Sequence, residues 1–149
     1  MSGARHAPAL LSAQSYPFAM DIVPRYADMD ILRHINNLSL AEYHEEARTR
    51  FLMTLFGEDF LFRKREYRLL PVRTTYDYLR EAHYPQPLEA RAGVARIGNS
   101  SFEVAMALFQ NEQCVCLATA VTVQVMDGKA AALTAAQRAC LERGLLRRG

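Results

Sequence analysis

Between residues 38 and 56 the apolar positions recur with a helical period. Leu40, Tyr43, His44, Ala47, Phe51 and Leu55 fall within one arc of about 120° when the residues are stepped around a helix, and Glu42, Glu46, Thr49 and Arg50 take the other side. This predicts one long helix. Asn36 or Asn37 can cap its start, because a short side-chain acceptor satisfies unpaired first-turn N–H groups, and Gly57 can stop it. Ahead of the helix, residues 16–26 are rich in aromatic and β-branched types and read as a strand. Pro24 cannot donate to a ladder, so that strand belongs at a sheet edge or carries a bulge.

Beyond Gly57 the period drops to two. Strand-like runs occupy 67–79, 88–97, 101–110 and 114–126. In the third, Phe102, Val104, Met106 and Leu108 alternate with Glu103, Ala105 and Ala107; in the fourth, Val115, Leu117, Val121, Val123 and Val125 alternate with Cys116, Ala118, Ala120 and Gln124. The breaks at Tyr84-Pro85-Gln86-Pro87, Gly98-Asn99-Ser100 and Asn111-Glu112 are turn-like. Connections this short make the neighbours antiparallel. Residues 134–146 read as a C-terminal amphipathic helix ending in Arg147-Arg148, and residues 1–15 as a flexible N-terminal tail ahead of a single domain at 16–149. The order of elements implies an α+β fold in which a curved five-stranded antiparallel sheet wraps the long helix. One sheet edge and the outer face then remain open, and self-association would cover them.

Composition narrows the function classes. A chain of 149 residues fits one domain, and 50% hydrophobic with 23% charged residues excludes wholesale disorder. A net charge of +2 is too small to imply a nucleic-acid or membrane surface. The 3 cysteines are an odd number and Cys114-x-Cys116 lacks metal-ligand spacing, so no metal site is expected and a reduced, cytoplasmic protein is. No apolar run approaches the roughly 20 residues of a membrane-spanning helix, and the N-terminus has no apolar core of signal-peptide length.

The chemistry concentrates in residues 28–37, where two carboxylates, one imidazole and two carboxamides stand just ahead of the helix. A helix N-terminus offers free N–H groups and partial positive charge, a natural seat for a developing oxyanion. A carboxylate nearby can attack the carbonyl carbon or activate water. The competing reading is that Asp30, Asn36 and Asn37 simply cap the helix and tie off the loop.

Asp28-Met29-Asp30-(x3)-His34-Ile35-Asn36-Asn37, followed by Tyr43-x-Glu45-Glu46-Ala47-Arg48-(x2)-Phe51-Leu52, resembles the hotdog-fold acyl-CoA thioesterases of the 4-hydroxybenzoyl-CoA thioesterase type. Tyr76-Asp77-Tyr78-Leu79-Arg80 and Arg96-Ile97-Gly98-Asn99-Ser100-Ser101 are similar to that family's second strand and its R-x-G-x-S-S turn. The resemblance implies a thioester hydrolase that splits an acyl-CoA substrate into free acid and coenzyme A, works as a homodimer or homotetramer, and needs neither metal nor redox cofactor. Position by position, it makes Asp30 the catalytic carboxylate, His34 the histidine of the H-x-N-N element, and Asn37 the N-cap residue that orients the loop or a water; Asp28 orders the loop. It also suggests Tyr43 and His44 along the acyl chain and Asn99, Ser100 and Ser101 at the pantetheine or nucleotide end. Arg33 stands where the acyl-CoA subgroup usually has glycine, Leu32 where the related plant acyl-carrier-protein thioesterases have a functional asparagine, and His44 replaces a large apolar residue. His44 is thus a core histidine or a pocket residue. Glu45 and Glu46 are an ion-paired helix face or, as in another hotdog subgroup, the source of the base. The basic stretch 63–68 is a solvated charge run or a phosphate contact. The alternative function is a non-catalytic hotdog protein that binds acyl-CoA or fatty-acyl groups; a hotdog dehydratase would require a catalytic histidine followed by glycine in another loop, a pattern the chain lacks.

Overall fold

The structure, a computed structural model, describes residues 6–61 and 64–147; residues 1–5 of the expected tail, Arg63 of the basic stretch and Arg148 lie outside the described residues. The elements are β1 (Phe18–Ile22), α1 (Asn37–Phe56), β2 (Arg68–Tyr78), β3 (Leu88–Ile97), β4 (Ser101–Gln110), β5 (Gln113–Met126), β6 (Lys129–Ala130) and α2 (Ala135–Glu142). The main sheet is antiparallel in the order β1-β3-β4-β5-β2, and the two residues of β6 fold back on the end of β5. It curls around α1 in the hotdog arrangement.

Helix α1 forms because its apolar stripe has somewhere to go. Leu40, Tyr43, Ala47, Phe51, Leu52 and Leu55 are buried against the inner face of the sheet, each large side chain contributing roughly 1.5–3 kcal/mol of transfer free energy. The facing strand positions include Ala90, Ala92, Ala118 and Ala120, whose small side chains let the helix sit close. The alternation expected for β4 is observed, with Phe102, Val104, Met106 and Leu108 all turned inward. Asn36 is the N-cap, its Oδ1 accepting the Leu38 N–H at 2.8 Å, and Gly57 closes the helix at φ 111° with its N–H donating to the Met53 carbonyl. Asn37, expected at the cap, is the first helical residue instead, because Asn36 holds the extended backbone (φ −60°, ψ 141°) that a cap requires.

Other boundaries move for local reasons. Strand β1 stops at Ile22, two residues short of Pro24. Helix α2 ends at Glu142 rather than continuing to 146; Gly144 follows, where a Cβ would stand 2.8 Å from the Phe51 ring. The chain then runs beside β3, Val94 donating to the Gly144 carbonyl and Leu146 to that of Val94.

One patch of the sheet's outer face is covered by residues 8–16 and Leu146. Residues Pro8–Leu11 and Ala13–Ser15, within the segment expected to be a tail, form two 3-10 turns. Tyr16 is fully buried and its hydroxyl donates to the Leu10 carbonyl at 2.7 Å. Leu10, Ala13, Tyr16 and Leu146 pack on the outward residues Ala105, Ala107, Phe109 and Leu117. Among the described residues, no helix is long and apolar enough to cross a membrane.

Candidate active site

The loop ahead of α1 folds back on itself as a small hairpin. Met29 and Ile35 bridge, the Asp30 N–H donates to the His34 carbonyl at 2.9 Å, and the Asn36 N–H donates to the Asp28 carbonyl at 2.8 Å. At its tip Arg33 takes φ 67°, the left-handed conformation glycine would adopt freely; for arginine it costs about 1–2 kcal/mol. The turn is kept with arginine in it. What holds it is the Asp30 carboxylate, whose Oδ1 accepts the N–H groups of Leu32 (2.9 Å) and His34 (3.2 Å). Among the described residues no donor reaches its Oδ2.

Asp28 faces the other way. It is buried, and its Oδ2 accepts the Tyr43 hydroxyl at 2.5 Å and the Arg25 N–H at 2.9 Å, while Oδ1 accepts from the Arg25 guanidinium at 3.0 Å. Burial disfavours its charge, but the combined hydrogen bonds from Tyr43 and Arg25 outweigh that and hold the carboxyl below its ordinary pKa. Burial raises the Tyr43 hydroxyl, and its bond to Asp28 raises it further. Asp28 therefore orders the loop from beneath, as its expected role requires. Tyr43 is committed to Asp28 and does not line the cleft described next.

That cleft, of about 280 Å³, opens at the N-terminus of α1. Asp30, His34 and Asn37 line it together, with Leu40, Tyr78 and Arg80 among the other walls. No acidic residue stands in the first turn of α1, so the positive end of the helix dipole meets the cleft unneutralised by its own side chains. A larger cavity of about 810 Å³ lies beside the N-terminal turns, walled by Leu11, Glu89, Arg91 and Phe109 among others. Volume does not decide between them; the smaller one gathers carboxylate, imidazole and helix end.

Two residues absent from the sequence reading stand against His34, and one of them, Glu81, lines the cleft as well. His34 Nε2 lies 3.1 Å from Glu81 Oε2, and the His83 ring meets the His34 ring edge-on at 5.2 Å. The backbones join as well: His34 and His83 form an antiparallel bridge, and the Ile35 N–H donates to the Ala82 carbonyl at 2.8 Å. Gln110 clamps this segment from behind, its Oε1 accepting the His83 N–H at 2.9 Å and its Nε2 donating to the carbonyls of His83 and Gln86.

The remaining candidates lie elsewhere. His44 is fully buried on α1 beside the Tyr76 ring, and burial pushes its imidazole down to about 3. Neither of its ring nitrogens has a hydrogen-bond partner, which costs roughly 1–3 kcal/mol for each buried group. Glu45 pairs with Arg48 at 2.7 Å and Glu46 with Arg50 at 2.8 Å, the ion-paired helix face. Asn99, Ser100 and Ser101 form the β3–β4 turn, where the carbonyls of Asn99 and Ser100 accept the N–H groups of Leu133 and Gln124. They sit with Arg68 at the end of the sheet remote from the cleft, about 30 Å along the strands. Arg65 stacks over the Phe60 ring and donates to the Phe60 carbonyl. Among the described residues, no group of three or more His, Cys, Asp or Glu side chains is arranged to hold a metal ion.

A helix wrapped by this sheet, with a polar cleft at the helix start, defines the hotdog class. The family profile of the Thioesterase-like superfamily matches residues 24–142, and the chain belongs to that superfamily. Among solved structures, a protein of Pseudomonas aeruginosa strain PAO1 is 28% identical with a TM-score of 0.77, covering 90% of this chain and 95% of its own. A predicted thioesterase from Bacillus stearothermophilus is 26% identical with a TM-score of 0.79, over 89% of this chain and 98% of its own. A thioesterase of Thermus thermophilus, solved with coenzyme A and zinc, shares the fold at 24% identity and a TM-score of 0.77, over 87% and 95% of the two chains. No curated protein matches the chain.

Proposed function

We propose that the chain hydrolyses an acyl-CoA thioester, with Asp30 as general base or nucleophile. The observation that carries this reading is the cleft at the start of α1, where Asp30, His34 and Asn37 meet. The thioester carbonyl oxygen would rest against first-turn N–H groups of α1, which stabilise the negative charge that builds there. With Asp30 as base, its carboxylate takes a proton from water as the water oxygen bonds to the carbonyl carbon. The C–S bond then breaks and the thiolate leaves with that proton, giving free acid and coenzyme A. His34, held at Glu81, can share the proton. Asn37 orients the attacking water.

The unit of function is a homodimer, or a homotetramer built from two such dimers. Strand β2 is an edge strand with Val72 exposed, and its pairing with the same edge of a second copy would run antiparallel. Such pairing brings the Arg68 end of one copy to the Tyr78 end of the other, so the remote turn of one chain, with Asn99, Ser100 and Ser101, would face the cleft of its mate. The 3 free cysteines suit a reducing compartment, the cytoplasm.

The test is thiol release from a panel of acyl-CoAs. Asp30→Asn keeps the Oδ1 acceptor that holds the loop and removes the charge, so kcat should fall by about 10²–10⁴ with a smaller effect on KM. Near-full hydrolysis by a folded Asp30→Asn protein would overturn the assignment. Tight acyl-CoA binding without any thiol release would favour the non-catalytic binder instead.

A further inference from the structure

Leu40 and Tyr78 wall the cleft. His44 stands four residues beyond Leu40 on the same buried face of α1, about 6 Å deeper along the helix. Tyr76 stands two residues from Tyr78 on the same face of β2, and the two rings stack at 6.2 Å with an interplanar angle of 14°. The His44 ring lies 5.8 Å from that of Tyr76. The His44–Tyr76 pair is therefore the layer directly behind the Leu40–Tyr78 pair. Tyr78 is half-exposed at the cleft, so a single ring separates the cleft from the layer behind it.

In that deeper layer His44 is fully buried, and both of its ring nitrogens are without partners. Of the α1 positions one turn to either side, Leu40 and Ala47 are apolar and Arg48 is engaged by Glu45, while Cys116, across from Tyr78, is apolar too. A neutral imidazole carries one donor and one acceptor, and burial keeps this one neutral. A ring that served only as filler would be better replaced by a hydrocarbon of similar volume. An unpaired donor and acceptor behind a cleft wall suit a guest that brings its own oxygen.

We propose that His44 determines specificity by hydrogen-bonding a hydroxyl or carbonyl oxygen carried on the acyl group, so that the protein selects oxygenated acyl groups over plain hydrocarbon ones. This rests on the thioesterase reading above. The oxygen belongs well inside the acyl group, since the His44 layer lies seven residues, about 10 Å, along α1 from Asn37. A chain hydroxyl and a phenolic hydroxyl both meet the requirement.

Matched substrate pairs test it. The kcat/KM for thiol release is measured for a hydroxyalkanoyl-CoA against the alkanoyl-CoA of equal length, and for a hydroxyaryl-CoA against the unsubstituted aryl-CoA. The wild-type ratio of oxygenated to plain should be about tenfold or more in at least one pair, and the pair that shows it tells a chain hydroxyl from a phenolic one. His44→Phe should bring that ratio near one, while His44→Gln, which keeps a donor and an acceptor, should retain most of it. A purely structural histidine would change stability in both variants and leave the ratio untouched. Wild-type ratios near one in both pairs, or an undiminished ratio in folded His44→Phe, overturn the inference while thiol release itself upholds the thioesterase reading. No thiol release from any of the four substrates overturns both.

Discussion

Asp28 carries its charge inside the protein, and acid should reveal it. Its folded pKa lies below its ordinary value, because the hydrogen bonds of Tyr43 and Arg25 overcome the penalty of burial. Such a group stabilises the fold fully above the unfolded carboxyl pKa of about 3.9. The contribution is lost as pH falls from there through the lower folded value. Asp28→Asn is therefore expected to lower unfolding free energy at pH 7 by about 1–3 kcal/mol, with the gap to wild type narrowing below pH 4. Denaturant unfolding at pH 7 and pH 3 measures both. The two aspartates of this loop also show how far single residues were legible. Their positions within the motif pointed to the loop, and Asp30 does line the cleft; that the same carboxylate also ties its own turn through Leu32 and His34 follows only from coordinates. The burial of Tyr43 was legible in the helical spacing, but spacing reports which face is buried and not that its hydroxyl finds Asp28 there.

At the scale of elements, the cleft depends on two irregular segments held side by side, and one carboxamide holds the second of them. Gln110 satisfies three backbone groups in residues 83–86, and that segment bridges the loop carrying His34. Gln110→Ala leaves these groups unpaired, so stability should drop by roughly 2 kcal/mol and kcat/KM should fall with it, readable in thermal unfolding and in thiol release. Regular elements were the legible ones. Strands β3 and β4 match the expected runs end to end, and α1 begins one residue early, because period and capping act over a few neighbours. Glu81, His83 and Gln110 gave no such signal. They meet His34 through pairings far apart in sequence and on backbone without period, so their nearness exists only once the sheet has formed. The C-terminal helix was read too long for a similar reason: past Glu142 the chain pairs with Val94 of β3 through Gly144 and Leu146, a partner brought there by the fold.

For the whole molecule, the outer face of the sheet is the telling surface. The sequence left it open, with self-association as the simplest cover, and in the structure Leu10, Ala13, Tyr16 and Leu146 lie on one patch of it. Removing residues 1–15 should bare Phe109, Leu117 and the alanines between them, lowering stability by about 2 kcal/mol or more. It should also raise the apparent mass in light scattering above that of the full chain, since an uncovered apolar face of this kind associates. The layer joins segments far apart in the sequence, for the Arg147 N–H donates to the Ser15 carbonyl and Leu146 crowds Gly93 together with Pro17. During synthesis Leu10 and Tyr16 emerge long before Leu146. The hairpins of β3, β4 and β5 close over short turns and can pair as soon as residue 126 is free. This part of the back of the sheet is then sealed only once Leu146 has emerged, so a nascent chain carries it bare from the pairing of those hairpins until that point, the interval in which a chaperone would have to shield it.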